Sequence, residues 1–380
     1  MAEPFKNLIG PAVVRAAATH LQRAWRGFDA PRFESLALGG LEALELKARA
    51  MHLCAALEAT LPRDFRRAAE VMEASLAPAV SGDNMAQLQA SDAGLAGWVL
   101  WPMGEYVARH GQQHPTRALA TLHAFTQRFT AEWAVRPFIV NHPELCFATL
   151  QQWTQDPSAH VRRLVSEGSR PRLPWGLQLK RLIADPRPTL PLLLALQDDP
   201  SEYVRRSVAN HLNDIAKDHP ALVADWLEAH LPDAPNERRA LLRHASRSLI
   251  KAGDRRVLNA WGIGAAFKGE VVLQVAPQHI ALGDSVELGV TLHSSSRRAQ
   301  TLHVDYLVHH VKGSGGTSHK VFKGRTLELA AGATLRWRKR HAVRPVTTRR
   351  YWSGPHRVEL QINGRVVACG SFELRVPATP

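Results

Sequence analysis

The chain has 380 residues, of which 45% are hydrophobic and 22% charged, so it is long enough for two domains with buried cores and is not intrinsically disordered. Its formal net charge of +14 is concentrated at residues 268–380, which hold 17 Lys and Arg against 7 Asp and Glu. Such a charge favours a polyanionic partner, with nucleic acid as the first candidate. A membrane surface is disfavoured, because these basic residues lie on strand-like segments and not on an amphipathic helix.

The N-terminal segment and the cysteines bear on compartment and chemistry. Residues 1–10 have no basic start followed by an apolar run, and the chain has no stretch of about 18 uninterrupted apolar residues. We therefore expect a cytoplasmic protein that does not enter a membrane. Cys54, Cys146 and Cys369 lie far apart with no CxxC spacing, so they predict neither a zinc site nor a disulfide framework, and buried, reduced thiols are expected.

Apolar residues recur at three- and four-residue spacing up to about Trp261, which predicts helices throughout this part of the chain. Asp156–Val165 and Asp199–Val208 are related segments at an offset of 43 residues, a period typical of HEAT and armadillo repeats. Each copy is predicted to begin a helix with Asp as the N-cap and Pro in the first turn. A third, weaker copy covers Asn236–Arg247.

The pattern changes from about Lys268 to alternation and β-branched residues, with turn signals at Gly313–Gly316 and Asn363–Gly364. The predicted strands cover 271–275, 286–292, 302–308, 318–329, 333–343, 356–362 and 365–376. Seven short strands in this length predict an antiparallel sandwich of immunoglobulin type. The predicted fold is thus mainly α, with a HEAT-like α-helical repeat solenoid at 1–265 followed by a C-terminal immunoglobulin-like β-sandwich at 268–380.

One helix in the second repeat has a polar side that packing does not require. An apolar stripe, which must be buried, is opposed on this helix by Arg206, Asn210, Asn213 and Asp214. The stripe consists of Val204, Val208, Leu212 and Ile215.

Stacked repeats would align this polar side with polar residues of the neighbouring copies. Arg163 and Glu167 of the preceding repeat share the register of Arg206 and Asn210, and Arg239, Arg243 and Arg247 would add a third row. Rows of arginine suit phosphates, because the guanidinium group donates two hydrogen bonds to them. The alternative is a solvated face with ion pairs at four-residue spacing, such as Arg163 with Glu167.

Carboxylates on a surface that faces DNA need a reason, because phosphates repel them. Glu167 and Asp214 are either neutralised by neighbouring arginines or available to a cation. A base alkylated on a ring nitrogen is cationic, and its sugar becomes oxocarbenium-like as the glycosidic bond breaks. A fixed carboxylate beside that sugar could stabilise the transition state by several kcal/mol and position a water.

Tryptophans lie next to these motifs. Trp175 follows a break between helices, and Trp133 adjoins Glu132. An indole face could hold a cationic base by cation–π attraction, although each tryptophan taken alone is more often part of a core. The core interpretation is kept for Trp98, Trp101, Trp153, Trp226 and Trp261.

Four segments resemble the AlkC branch of the DNA alkylation-repair glycosylases, the sister group of AlkD. They are Trp101–Val107, Arg128–Glu132, His160–Trp175 and Asp199–Asp214, of which the third is the most specific. The likeness spans nearly all of the helical part, and the trailing sandwich matches the immunoglobulin-like domain found in many AlkC proteins.

The resemblance implies a monofunctional glycosylase that excises positively charged lesions, such as 3-methyladenine and 3-methylcytosine, from duplex DNA as a monomer without metal or cofactor. It also implies that Asp214 is the main catalytic carboxylate, that Glu132 and Glu167 lie close to the lesion, and that Trp175 lines the same site. The family exposes the lesion by bending DNA held in a concave groove.

Further contacts are expected from the residues around this site and from the sandwich. We expect Asn210 to contact the lesion, and the sandwich to approach the minor groove with basic loops at Arg336–Arg340 and Arg344–Arg350. The expected DNA-binding residues are Arg163, Arg206, Arg243, Arg247, Arg338, Lys339 and Arg340.

Three other functions were weighed. A HEAT-like scaffold that binds nucleic acid or a partner without chemistry fits the periodicity and the charge, but gives the carboxylates no role. A metal-dependent nuclease is disfavoured, because no HxxxH helix pair adjoins a carboxylate and the adjacent His309 and His310 would point to opposite faces of a strand. A Schiff-base lyase is disfavoured, because no Lys lies in the segments 128–137, 160–175 or 199–214.

Overall fold

A computed structural model describes residues 4–346 and 349–377, and within these ranges a helical part precedes a strand-rich part. The helices are α1 (Pro11–Ala24), α2 (Ala30–Leu38), α3 (Leu46–Thr60), α4 (Phe65–Ala74), α5 (Leu100–His110), α6 (Pro115–Thr126), α7 (Arg136–Asn141), α8 (Pro143–Trp153), α9 (Ala159–Gly168), α10 (Lys180–Ala184), α11 (Leu190–Leu196), α12 (Glu202–Ile215), α13 (Pro220–His230), α14 (Asn236–Ala245), α15 (Arg247–Ala252) and α16 (Arg255–Ala260). The strands are β1 (Gly269–Ala276), β2 (His279–Ala281), β3 (Ser285–Ser294), β4 (Gln300–Val311), β5 (Thr317–Leu329), β6 (Thr334–Ala342), β7 (Gly354–Ile362) and β8 (Arg365–Arg375). The predicted change from helix to strand is confirmed.

The predicted helices are not continuous along the first 260 residues. Residues 75–99 hold only two short 3-10 helices, Met85–Gln87 and Gly97–Val99, because Gly82, Gly94 and Gly97 adopt positive φ there. Leu76 pairs with Leu95 through an isolated bridge, which closes this irregular loop. The α-helical prediction is wrong for this segment.

The described residues group into two compact units. The helical unit comprises the chain up to 219 together with 234–245, and the strand-containing unit comprises 220–233 together with the chain from 246 onward. Helices α13, α15 and α16 thus belong with the strands. The domains expected at 1–265 and 268–380, whose ends at 1–3 and 378–380 lie outside the described residues, stay a prediction.

The two related segments form equivalent helices, α9 and α12, but each helix begins later than predicted. Ser158 and Ser201 are the N-caps, whereas Asp156 and Asp199 each accept a hydrogen bond from the backbone N–H two residues further on. The predicted Asp N-caps are therefore wrong, since both aspartates form Asx turns that precede the helix.

Side chains tie the stacked repeats together. Arg162 of the first copy donates two hydrogen bonds, of 2.6 and 3.0 Å, to the carboxylate of Asp199 in the second copy. The stripe predicted to be buried is confirmed, since Val204, Val208 and Leu212 have no exposed surface and Ile215 has almost none.

The strands form two sheets, one with the order β1-β3-β6 and one with the order β2-β8-β7-β4-β5. All seven predicted strands are present and pair antiparallel, and their alternate residues form one apolar core. Strand β2 was not predicted, because its three residues are too few to show alternation, and it pairs parallel to β8. Asn363 and Gly364 both have positive φ in the tight turn between β7 and β8, as their sequence predicts.

The cysteines depart from their prediction at one position. Cys54 and Cys146 are buried free thiols, as expected, but Cys369 is an exposed one. It lies on β8, and Arg357 of the neighbouring strand contacts its Sγ at 3.4 Å.

Candidate active site

Glu132, Glu167 and Asp214 meet in one buried network within the helical unit. Arg163 donates to Glu132 Oε2 at 2.7 Å and approaches Glu167 Oε1 at 3.7 Å. Arg170 donates to Glu167 Oε1 at 2.5 Å and to Asp214 Oδ2 at 2.9 Å. The two arginines thus join three carboxylates that lie up to 82 positions apart in the sequence.

Helices α9 and α12 hold this network in place. Glu167 lies near the end of α9, and Asp214 lies near the end of α12, which packs beside it. Ser207 Oγ of α12 donates to Glu167 Oε2 at 2.6 Å, and His211 Nδ1 of α12 donates to the carbonyl of Ser166 at 2.9 Å. The relative position of the two carboxylates is therefore fixed by hydrogen bonds as well as by the apolar stripe.

The electrostatics favour the charged forms of Glu167 and of its two arginine partners. Burial opposes the charge on Glu167, but Arg163, Arg170 and the Ser207 hydroxyl outweigh it and hold the pKa of Glu167 below its ordinary value. Burial also opposes the charges on Arg163 and Arg170, whose pKa values are nevertheless raised by the carboxylates around them. Such preorganised anions can stabilise positive charge that develops nearby without first having to reorient.

Arg136 supports the segment that leads from α9 to Trp175. Its guanidinium is fully buried and donates to the carbonyls of Leu177, Gly168, Arg170 and Pro171. Burial lowers the pKa of Arg136 to about 10. Because four backbone carbonyls converge on one cation, the turn that carries Arg170 is fixed.

Trp175 belongs to an aromatic cluster. It is 59% exposed and has a φ of 62°, an uncommon conformation for a residue other than glycine. Its indole is parallel to that of Trp101, with the ring centroids 6.5 Å apart, and Trp101 in turn stacks on Trp133 at 4.3 Å. Trp101 is buried, as expected, but its ring also forms part of the surface on which Trp175 lies.

The other residues predicted to contact DNA have varied surroundings. Arg163 directs its guanidinium to Glu132 and Glu167, so the interpretation as an ion pair describes it better than the interpretation as a free phosphate ligand. Arg206 is exposed on α12, and Asn210 on the same helix accepts a hydrogen bond from His244 at 3.0 Å. Arg243 is half-buried on α14.

The predicted third arginine row is not continuous. Helix α14 ends at Ala245 and α15 begins at Arg247, with Ser246 as the N-cap between them. Arg247 therefore does not continue the helix face that carries Arg239 and Arg243, and it belongs to the strand-containing unit. The prediction that the three arginines form one row at four-residue spacing is therefore wrong at Arg247.

The basic segment of the sandwich is a strand and not a loop. Arg338 and Arg340 lie on the exposed face of β6, whereas Lys339 is half-buried on the opposite face, with Trp337 and His341. Because adjacent strand residues point to opposite faces, Lys339 does not share a surface with Arg338 and Arg340, and contact of these three residues with DNA stays a prediction. In the second basic segment Arg344 and Arg350 are exposed, and residues 347–348 lie outside the described ranges.

Sequence reasoning missed Arg136, Arg170, Ser207 and Lys217. Lys217 Nζ donates to Asp214 Oδ1 at 2.8 Å, so a lysine does lie at the candidate site, three residues beyond the last motif that was searched. It follows the end of α12 and lies three residues from Asp214, and this short spacing was a usable signal. Arg136 had none, because its partners are backbone carbonyls more than 30 positions away.

Residues 4–346 and 349–377 hold no group of three or more His, Cys, Asp or Glu side chains that could bind a metal ion. Within the same ranges no helix is long and apolar enough to span a membrane.

Stacked helical repeats that carry ionised carboxylates in an arginine network, together with a basic β-sandwich, are the features of a helical-repeat DNA glycosylase. The family described as DNA alkylation repair enzyme matches residues 129–249, and the family described as the C-terminal Ig-like domain of the uncharacterised protein YhaZ matches 270–376. The uncharacterized protein YhaZ of Bacillus subtilis (strain 168) is 34% identical over 375 residues, which are 97% of this chain and 99% of that protein.

A solved structure agrees over the whole length. The Pseudomonas fluorescens alkylpurine DNA glycosylase AlkC, bound to DNA containing an abasic site analog, is 36% identical with a TM-score of 0.86, covering 98% of this chain and 100% of that one. The chain belongs to the AlkC family of DNA alkylation-repair glycosylases, and the predicted family and the predicted immunoglobulin-like fold are confirmed.

Proposed function

We propose that this protein hydrolyses the N-glycosidic bond of cationic alkylated bases in duplex DNA, with 3-methyladenine and 3-methylcytosine as substrates. The observation that carries the proposal is the meeting of Glu132, Glu167 and Asp214 in one buried network of ion pairs. These residues come from three separate segments of the chain, each of which resembles the family: Arg128–Glu132, His160–Trp175 and Asp199–Asp214.

Cleavage of this glycosidic bond requires mainly electrostatic stabilisation from the protein. When the bond from C1′ to the base breaks, its electron pair leaves with the base and cancels the positive charge of the ring. Positive charge then spreads over C1′ and the ring oxygen of the sugar until water adds to C1′ and loses a proton to solvent. Asp214 faces this charge, and Glu132 and Glu167 add to the negative potential around it.

DNA binding is assigned to charged and aromatic surfaces on both units. Arg206 and Arg243 on the helical unit, and Arg338 and Arg340 on β6, are proposed to contact phosphates. Trp175 is proposed to lie against the lesion, since its exposed indole offers an aromatic face to a cationic base. The protein acts as a monomer without a cofactor in this proposal.

Excision of defined lesions tests the proposal. Duplexes that carry a single 3-methyladenine or 3-methylcytosine, incubated with the protein in EDTA, should release the free base. Asp214→Asn should lower the single-turnover rate roughly 10²- to 10³-fold, because an interaction that is strongest in the transition state is lost. Its affinity for duplex DNA with an abasic-site analogue should remain within about twofold of wild type.

A non-catalytic scaffold is the competing function, and one observation favours it. Every carboxylate of the network has an arginine partner, as a purely structural network would also require. In that case wild-type protein would bind duplex DNA but release no base. A parallel loss of binding and excision in Asp214→Asn would likewise show that the residue only maintains structure.

A further inference from the structure

Asp214 forms ion pairs with two cations whose side chains differ in exposure and in the number of their partners. Its side chain is only 3% exposed, with Arg170 Nε 2.9 Å from Oδ2 and Lys217 Nζ 2.8 Å from Oδ1. The Arg170 side chain is 11% exposed and also binds Glu167, whereas the Lys217 side chain is 48% exposed and follows the end of α12. Arg170 is therefore a fixed partner, and Lys217 is the partner that can leave.

While they are bound, both cations reduce the electrostatic stabilisation that Asp214 can give to the transition state. A carboxylate with a cation on each oxygen offers less negative potential to a sugar that is becoming positive. Arg170 cannot move away without leaving two buried carboxylates uncompensated, which is costly. Departure of Lys217 would remove a partner from Asp214 Oδ1 alone, and Arg170 would still compensate the carboxylate at Oδ2.

DNA supplies the group that would attract the lysine. A deoxyribose inside a strand has a phosphate on each side, so a sugar that approaches Asp214 brings two phosphates within reach of a lysine side chain. Lysine binds phosphate as a point charge on a flexible stem and needs no fixed geometry. In this exchange, the ion pair between Lys217 and Asp214 is replaced by an ion pair between Lys217 and a phosphate of DNA.

We propose that Lys217 is a counterion of Asp214 that is released by DNA: it pairs with the carboxylate in the free protein and transfers to a phosphate beside the lesion sugar. This inference rests on the proposed function for the identity of the sugar. It makes Lys217 a positioning residue, since it acts through Asp214 and through DNA binding. Asp214 is thereby uncovered only when DNA is in place.

The test separates DNA binding from chemistry. Affinity for a duplex with an abasic-site analogue is measured across a range of salt concentrations, which requires no excision. Lys217→Met should weaken binding about three- to tenfold at low salt and reduce the slope of log K against log salt by about one, because one phosphate contact is lost. At saturating protein its single-turnover excision rate should not fall, because in the wild-type complex the lysine is already on the phosphate and no longer on Asp214 Oδ1.

Two further variants control for charge and folding. Lys217→Arg keeps a cation on the same turn and should restore the wild-type salt slope. Arg187→Met removes a cation from an exposed pair with Asp185 on another part of the helical unit, and its salt slope should stay that of wild type. An equal fall of the slope in Arg187→Met would contradict the proposal, since general charge loss would then explain the result.

The remaining outcomes are also decisive. An unchanged salt slope combined with a lower excision rate would show that Lys217 stays on Asp214 as a fixed partner. Trapping of wild-type protein, but not of Lys217→Met, on abasic DNA by borohydride would show that the amine is a nucleophile. If wild-type protein releases no base, the proposed function fails, while the salt slope of Lys217→Met still decides whether the lysine reaches DNA.

Discussion

At the scale of single residues, Arg136 has a role that its side-chain chemistry alone would not suggest. Replacement by Met keeps the unbranched apolar stem of the side chain but removes its hydrogen bonds to the carbonyls of Gly168, Arg170, Pro171 and Leu177. We expect Arg136→Met to destabilise the helical unit by about 3–5 kcal/mol, since four buried acceptors lose their donor.

The measurement is urea unfolding together with excision at a temperature where the variant stays folded. Because the turn after α9 also carries Arg170, excision by the folded variant should fall roughly tenfold, as Glu167 and Asp214 lose a fixed partner. Arg172→Met, which removes an exposed ion pair with Asp218 in the same segment, is the matched control and should unfold at nearly the same urea concentration as wild type. Equal effects of the two variants would contradict a special role for Arg136.

The sequence predicted the carboxylates of the network but not all of the cations that pair with them. Glu132, Glu167 and Asp214 could be chosen, because they occur in motifs and a carboxylate is unexpected on a surface that faces DNA. Arg170 lies inside the segment His160–Trp175 but was not predicted as a site residue. Its pairing with Asp214 spans 44 positions and depends on the stacking of two helices. Long-range pairing of this kind is set by packing and cannot be read from local spacing.

At the scale of elements, Gly168 sets the distance between α9 and the turn at 132–135. A Cβ on Gly168 would come within 2.6 Å of Val135 Cγ1 and 3.9 Å of the carbonyl of Glu132. We expect Gly168→Ala to cost about 1–3 kcal/mol, because the two elements must move apart to accommodate the methyl group. The same movement separates Glu132 from Arg163, so excision should fall more steeply than DNA affinity.

Thermal unfolding and single-turnover excision check this expectation. Gly316→Ala is the control, since a Cβ there would have no neighbour within 4 Å and the residue has no positive φ. It should change stability by less than about 0.5 kcal/mol. A Gly168→Ala protein with wild-type stability and excision would show that the close approach is not needed.

The strand-containing unit should lose stability in mild acid, because it buries neutral histidines. His310 on β4 is 2% exposed, and within the described part of the chain neither of its ring nitrogens has a hydrogen-bond partner. Burial, together with the positive charge of Arg349, lowers the pKa of His310 to about 3, and burial lowers that of His341 to about 4.

The sign follows from linkage. The unfolded chain takes up a proton at a pKa of about 6.5, whereas the folded form does so only near 3, so the stabilisation is complete above 6.5 and is lost as the pH falls below it. At pH 5.5 we expect a loss of about 1 kcal/mol for His310, seen as a lower melting temperature of this unit. His310→Leu should flatten the decline, whereas a substitution of the exposed His279, such as His279→Gln, should leave it as in wild type. An unchanged decline in His310→Leu would assign the effect to other groups.

The sheets also show what local pattern can and cannot predict. Alternation located seven strands, because one face of each is buried and a period of two is visible over five or more residues. The predicted strand at 333–343 already separates Lys339 from its two arginine neighbours by alternation, so the expectation of a basic loop at Arg336–Arg340 was inconsistent with it. The start of α9 and α12 was misplaced by two residues, since an Asx turn and an N-cap use the same residue types.

At the scale of the whole molecule, the uneven charge should determine how DNA affinity depends on salt. Residues 268–380 carry an excess of ten positive charges, and β6 contributes an exposed row of Arg336, Arg338 and Arg340. Alternate residues on a strand are about 6.7 Å apart, which is close to the spacing of phosphates along an extended backbone. The sequence predicted the excess of charge, but which side chains face solvent required the pairing of β6 with β3.

The exposed arginines of β6 are expected to determine part of the salt dependence of DNA binding. Replacing Arg338 and Arg340 together by Gln should reduce the slope of log K against log salt by about two, because two phosphate contacts are lost, and should weaken binding at least tenfold at low salt. Lys339→Gln is the matched control on the same strand, and its slope should stay near that of wild type, since its side chain lies on the other face. Because both variants act far from the carboxylates in sequence, excision at saturating protein should remain close to wild type. Should Lys339→Gln change the slope as much as the double variant does, the sandwich must bind through its net charge rather than through the exposed face of β6.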